Sequence, residues 1–176
     1  MSTSKLPLYL KFYGISPWEL EVIFSLLHNQ LNVQEDPNAE QEEDYTTMIS
    51  VTFPLEFNEI FFKQFGVPRW DKLKGIIKEM KRRRGGGKSL RVYIKFTGKP
   101  SIVFTIDLDD RRSFDTAVDK IDFVIELLPY HLDPKKMPKN TTLVSYQFDD
   151  IIAKWNINAD AEDHTYHFVE NEWKIT

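Results

Sequence analysis

The runs Leu90-Arg91-Val92-Tyr93-Ile94-Lys95-Phe96 and Ser101-Ile102-Val103-Phe104-Thr105-Ile106-Asp107, joined by Thr97-Gly98-Lys99-Pro100, decide how the chain folds. Successive side chains of a strand point to opposite faces, so Leu90, Val92, Ile94 and Phe96 share one side, with Ile102, Phe104 and Ile106 across from them. Glycine and proline between the runs suit a turn. The pattern predicts an antiparallel hairpin with this apolar set turned inward. Arg91, Tyr93 and Lys95 then share the opposite face, with Val103 and Thr105 beside them.

Moving toward the N-terminus, Trp70, Leu73, Ile76, Ile77 and Met80 recur at helical spacing, which predicts a helix over 69–84 that starts at Pro68 and ends in Gly85-Gly86-Gly87. Phe57, Ile60, Phe61 and Phe65 form the stripe of a helix over 55–65, with Gly66 as its left-handed stop. Thr47 to Phe53 alternates as a strand and Pro54 stops it. Residues 32–46, with Glu35, Asp36, Glu40, Glu42, Glu43 and Asp44 around Pro37, read as a mobile acidic loop. Ser16-Pro17-Trp18-Glu19 is a capping box that opens a helix over 17–31, and Leu6 to Tyr13 alternates as a strand.

Toward the C-terminus, Phe114, Ala117, Val118, Ile121, Val124, Ile125 and Leu128 predict one helix from an N-cap at Ser113 to Leu128. Pro129 to Lys139 reads as a loop, and strands follow at 142–148, 151–157, 165–169 and 173–175, with Glu170-Asn171-Glu172 as a turn. The expected architecture is α+β: a mainly antiparallel sheet of local hairpins, rather than a parallel βαβ sheet, packed against about four helices. Residues 1–176 read as a single domain, with 129–139 the one place for a sub-boundary. Over residues 16–107 the order of elements also resembles that of winged helix-turn-helix domains, with the 90–107 hairpin as the wing and the later strands as an extension. The likeness is one of order: Leu73, Ile76 or Ile77 and Met80 fall about one position late for that motif's second helix.

Size and composition bound the function. The chain has 176 residues, 41% apolar and 14% aromatic, which suits a packed core and excludes a disordered chain. It has no cysteine, which excludes a disulfide framework, a thiol nucleophile and cysteine-held zinc or iron. Charges interrupt every apolar run, so no membrane span is expected, and Met1 to Gly14 lacks a signal-peptide core. A soluble protein of the cytoplasm, or of the nucleus in a eukaryote, is the expectation. Without a leader, the acceptor pattern Asn140-Thr141-Thr142 carries no weight.

Charge is uneven: net −6 over residues 34–50, +9 over 51–106 and −7 over 107–176, within a total of −4. The basic middle holds the candidate site: Lys81, Arg82, Arg83 and Arg84 before the glycines, Lys88 after them, and Arg91, Tyr93, Lys95 and Lys99 along the hairpin. Guanidinium and ammonium groups around flexible backbone suit phosphate contacts, and a basic strand face bearing a tyrosine suits single-stranded bases. The expected role is a non-catalytic module for an anionic partner, nucleic acid first. The acidic 35–44 loop would compete for the same patch.

The rival expectation is a protein-protein adaptor that meets an acidic partner surface and uses the strands near Tyr166, Phe168 and Trp173. A small enzyme comes third, through Asp107, Asp109 and Asp110. Gly87-Lys88-Ser89 ends like a P-loop, but Arg82 stands where that motif needs glycine, and a helix precedes the loop. His164 and His167 lie near Asp160, Glu162 and Asp163, yet residues three apart on a strand face opposite ways. No metal, cofactor or catalytic residue is assigned.

Overall fold

The computed structural model describes residues 4–37, 39–42 and 44–176. Among them lie nine strands and five helices: β1 (Leu6–Tyr13), α1 (Pro17–Leu27), β2 (Leu31–Asp36), β3 (Met48–Phe53), α2 (Glu59–Phe65), α3 (Val67–Arg84), β4 (Arg91–Phe96), β5 (Ser101–Ile106), α4 (Arg111–Lys120), α5 (Val124–His131), β6 (Thr141–Asp149), β7 (Lys154–Ala161), β8 (His164–Val169) and β9 (Glu172–Ile175). All nine strands join one sheet in the order β2-β1-β3-β4-β5-β6-β7-β8-β9. No described helix is long and apolar enough to cross a membrane.

The β4–β5 hairpin forms as its alternation predicts, with Ile94 opposite Phe104 and Phe96 opposite Ile102. Its place differs from that of a wing. The hairpin sits inside the sheet, flanked by β3 and β6, so it does not project as winged domains require.

The expectation of local hairpins is corrected as well. Three neighbouring pairs, β1/β2, β3/β4 and β5/β6, run parallel. Parallel neighbours need a crossover, and α1, the α2–α3 pair and the α4–α5 pair supply it. The sheet is therefore mixed, and it is larger and carries more helix than the expected four-helix arrangement.

Local chemistry explains most element ends. The Ser16 hydroxyl accepts from the Glu19 N–H while the Glu19 carboxylate accepts from the Ser16 N–H, so the capping box is complete. Gly66, at φ 96°, ends α2 and starts α3 in backbone that a larger residue rarely adopts. The helix expected from Ser113 is capped instead by Asp110, whose carboxylate accepts from the Ser113 N–H at 2.9 Å.

That helix is also broken over 121–123. Asp122 accepts from the Trp70 indole and from Lys74 at 2.8 Å, which ties the break to α3. Pro129 does not stop α5. The helix runs on to His131, whose ring lies 3.1 Å from the Tyr146 hydroxyl and 5.2 Å from Phe168. Burial pushes the His131 imidazole down to about 4.

Part of the expected acidic loop is the edge strand β2. Leu31 and Val33 turn inward while Asn32, Gln34 and Asp36 face away, and charge along an edge discourages pairing with another chain. Ile151 and Ile152 lie in the β6–β7 turn, where Asp149 accepts from the Ile151 N–H at 2.9 Å, and β7 begins at Lys154.

The helices cover one face of the sheet, with α3 touching α1, α2 and α4. Beneath them Phe53, Phe57, Phe61, Phe65, Phe96 and Phe104 pack with Trp70, and the ring of Phe53 lies 5.0 to 5.3 Å from those of Phe61, Phe65 and Phe96. Aromatic pairs of this kind add about 0.5–1.5 kcal/mol each beyond area burial.

Candidate functional site

The second face of the sheet carries none of the described helices. Parallel strand pairs are ordinarily covered on both sides, so three of them in a sheet with one open face is unusual. Strand register specifies what that face displays. One row runs Gln34, Tyr9, Thr52, Lys95, Val103, Ser145, Asn158, His167 and Lys174 across all nine strands. The next runs Asp36, Lys11, Ser50, Tyr93, Thr105, Gln147 and Asn156. Tyr9 therefore stands two strands from Lys95, and Lys11 two strands from Tyr93. Aromatic and cationic side chains thus stand in opposite order on β1 and β4, with Thr52 and Ser50 of β3 between them.

The acidic segment after β2 folds over one end of this face. Glu42 accepts from Arg91 at 2.6 Å and from the Tyr93 hydroxyl at 2.7 Å. The Arg91 guanidinium also reaches Asp107 at 3.2 Å and lies 4.1 Å from the Tyr45 ring. The Tyr13 hydroxyl donates to the Tyr45 carbonyl and accepts from the Glu42 N–H at 3.1 Å. Burial and the Glu42 carboxylate push the Tyr93 phenol up to about 12. The described part of this segment is thus docked by specific contacts. Glu43, counted in the acidic loop, lies outside the described residues.

The structure divides the candidate cations among different environments. Lys81 is fully buried, where its Nζ donates to the Gly87 carbonyl at 3.0 Å and to the Ser89 hydroxyl at 3.1 Å. Arg82 and Arg83 lie exposed on the helix side, and both engage Glu79. Arg84 turns inward to Glu19, at 2.7 and 2.8 Å.

Lys88 meets Asp44 at 3.4 Å. Lys95 is exposed 5.6 Å from the Tyr93 ring and has no carboxylate partner among the described residues, and Lys99 is exposed in the β4–β5 turn. One continuous water-facing patch from Lys81 to Lys99 does not form. A helix turns about 100° per residue, so adjacent cations diverge. Carboxylates from α1, α3 and the acidic segment then take up most of them.

The open face also includes residues missed as site candidates, chiefly Tyr9 and Lys11. Their signal was present, because they alternate with Leu8, Leu10 and Phe12. What joins them to Tyr93 and Lys95 is the placement of β3 between β1 and β4, a long-range fact. Of the carboxylates weighed for catalysis, Asp107 belongs to the Arg91 pair and Asp110 caps α4. His167 bonds Asn158 on the open face. Comparison with protein-family models, with curated proteins and with solved structures gives no match.

Proposed function

We propose that the chain is a non-catalytic binding module that holds an anionic partner, nucleic acid first, on the open face of its sheet. The observation that carries this reading is the interleaving of Tyr9 and Tyr93 with Lys11 and Lys95 on a face that none of the described helices covers. Tyrosine rings offer stacking seats to unpaired bases of any identity, and the lysines meet the phosphates between them. Strands about 4.8 Å apart, with a rise of about 3.4 Å per residue, put the two rings roughly 12 Å from each other, a span for an extended single strand. Lys99 continues the positive field beyond the sheet. The Arg82–Arg83 pair on the helix side plays no part.

Anisotropy of a fluorescein-labelled 20-nucleotide oligo(dT) or oligo(U), titrated at several potassium chloride concentrations, tests the reading. Contacts from Lys11, Lys95 and Lys99 predict a slope of log affinity against log salt of about −2. Combining Tyr9→Ala, Tyr93→Ala and Lys95→Ala should weaken binding by at least about 30-fold, because each stacked base contributes roughly 1–3 kcal/mol. Combining Arg82→Ala with Arg83→Ala should leave it unchanged. Equal affinity of the wild type and the first variant, with the fold retained by circular dichroism, rejects the open face as the seat.

In the same reading, the acidic segment occupies part of the seat until a polyanion displaces it. Glu42→Gln should free Arg91 and Tyr93 from a carboxylate whose half-exposed ion pair is worth about 1 kcal/mol. Affinity for the oligonucleotide should then rise about fivefold, with a steeper salt dependence as Arg91 joins the contacts. A drop in affinity would show instead that Glu42 holds the face in its binding shape.

A further inference from the structure

The helix side of the molecule carries a second surface that the oligonucleotide reading does not use. α1 runs antiparallel along α3: Trp18 and Glu19 lie beside Arg83 and Arg84, and Gln30, just past the far end of α1, reaches the Arg69 guanidinium at 2.6 Å. Between the two helices is a groove of about 650 Å³ whose apolar lining is Trp18, Val22, Leu26, Ile76 and Met80. Trp18 is 56% exposed, an expensive position for an indole, and the Arg83 guanidinium 4.4 Å from its ring holds it at the mouth.

Gly75 lines the same groove, in the interior of the 18-residue α3. Glycine is a poor helix former, and it is normally kept for a left-handed turn or a close approach. Neither operates within this chain. Gly75 has ordinary helical backbone, and a Cβ added there would meet nothing within 4 Å. The room it leaves opens onto the groove, where a bulkier side chain would stand in the way of anything laid between the helices.

The groove is net basic, with Arg69, Lys72 and Arg83 against Glu19 and Glu79. Glu79 is taken up by Arg82 and Arg83, and Glu19 by Arg84. Arg69 bonds only the neutral Phe65 carbonyl and Gln30, and Lys72 has no carboxylate partner among the described residues. An apolar channel with Arg83 at one end and Lys72 and Arg69 at the other is complementary to an amphipathic anion. The twelve residues from Lys72 to Arg83 span about 16 Å, or three helical turns, and packed helices lie about 8–10 Å apart depending on the side chains at the contact.

We infer that the groove between α1 and α3 docks an amphipathic helix of a partner protein, with its apolar face on Val22, Leu26 and Ile76 and acidic residues at both its ends. This is the helix-in-groove mode of recognition. The site lies on the opposite side of the sheet from the open face, so one molecule can hold both partners at once, and either reading can fail without the other.

The test uses the full chain, ¹⁵N-labelled, and a 16-residue helical peptide with leucines at i, i+3, i+4, i+7 and i+11 and glutamates in its first and last turns. The expected result is amide shift changes confined to α1 and α3 and a dissociation constant in the tens of micromolar. A scrambled peptide of the same composition should bind at least tenfold more weakly. Gly75→Leu should weaken binding at least tenfold while the melting temperature holds or rises, because the substitution removes a helix glycine and its Cβ meets no atom within 4 Å. Combining Lys72→Glu with Arg83→Glu should weaken the acidic peptide and improve its lysine-flanked counterpart. Equal binding of the scrambled peptide, shift changes elsewhere, or an unaltered constant in Gly75→Leu would overturn the inference.

Discussion

Arg84→Ala is expected to lower the free energy of unfolding by about 3 kcal/mol, the lower end of what breaking a buried ion pair costs. Glu19 is only 4% exposed, and the Arg84 guanidinium meets both of its oxygens, at 2.7 and 2.8 Å. The same guanidinium also binds the Thr47 hydroxyl at 3.1 Å and the Gly14 carbonyl at 3.3 Å, so one side chain ties α3 to the start of α1 and to the ends of β1 and β3. Without it, a carboxylate is left in a dry site with Ser16 as its remaining partner.

The pH dependence has a definite sign. The Arg84 hydrogen bonds outweigh burial and hold the Glu19 carboxyl at about 2 rather than 4.5. In the unfolded chain Glu19 takes up a proton near its ordinary value, so the pair's stabilisation is complete above about pH 4.5 and is lost as the pH falls toward 2. Urea unfolding at pH 7 and at pH 3 should show the wild type and Arg84→Ala converging in acid. Adding Glu19→Gln to the variant should restore part of the loss at pH 7. A loss under about 1 kcal/mol at pH 7 would mean that water already screens the pair.

Lys81 should be the second costly position, although it resembles any other lysine of a basic run. Lys81→Ala removes a fully buried stem and one of the two donors to the Gly87 carbonyl, the other being the Ser89 N–H at 2.8 Å. The cavity, together with the lost hydrogen bonds of the ammonium to Gly87 and Ser89, should cost about 3 kcal/mol. The ammonium itself is under strain from its surroundings: burial lowers its pKa, and the charges of Asp109 and Asp110 offset this only in part.

Because the folded pKa is the lower one, the unfolded chain binds the extra proton between the two values, and stability rises with pH through that alkaline window. Lys81→Met keeps most of the stem volume and carries no charge. It should lose less than the alanine variant at pH 7, and the difference between wild type and Lys81→Met should shift in favour of the wild type as pH climbs toward 10. A pH-independent difference would place the ammonium in contact with water.

The buried Lys81 and the half-buried Arg84 were legible in principle. Trp70, Leu73 and Ile77 make the buried stripe of α3, and the next places on it are Lys81 and Arg84, four and seven residues after Ile77. Counting charge along the chain hid this, because it treats Lys81 and Lys78 alike. By contrast, Ser16 and Glu19, Gly66, and the alternation of β4 and β5 could be read directly, since each depends on neighbours within a few residues. β2 could not, because its inward set is only Leu31 and Val33, and its pairing with β1 is made across a helix. The open face failed for the same reason: Tyr9 and Tyr93 share it only through a strand order that no local pattern contains.

That order is almost the order of translation. From β4 onward each strand bonds to the one made just before it, while β3 returns to β1 and β2 holds the border. The antiparallel pairs β4/β5, β6/β7, β7/β8 and β8/β9 close over short turns, whereas the parallel pairs wait on their helical crossovers. As the polypeptide leaves the ribosome, its assembly can therefore advance in one direction, each newly emerged segment docking on a template already in place. The β6–β7 hairpin arrives late and completes the aromatic centre, laying Tyr146 and Trp155 against Phe104 at 4.8 and 5.3 Å.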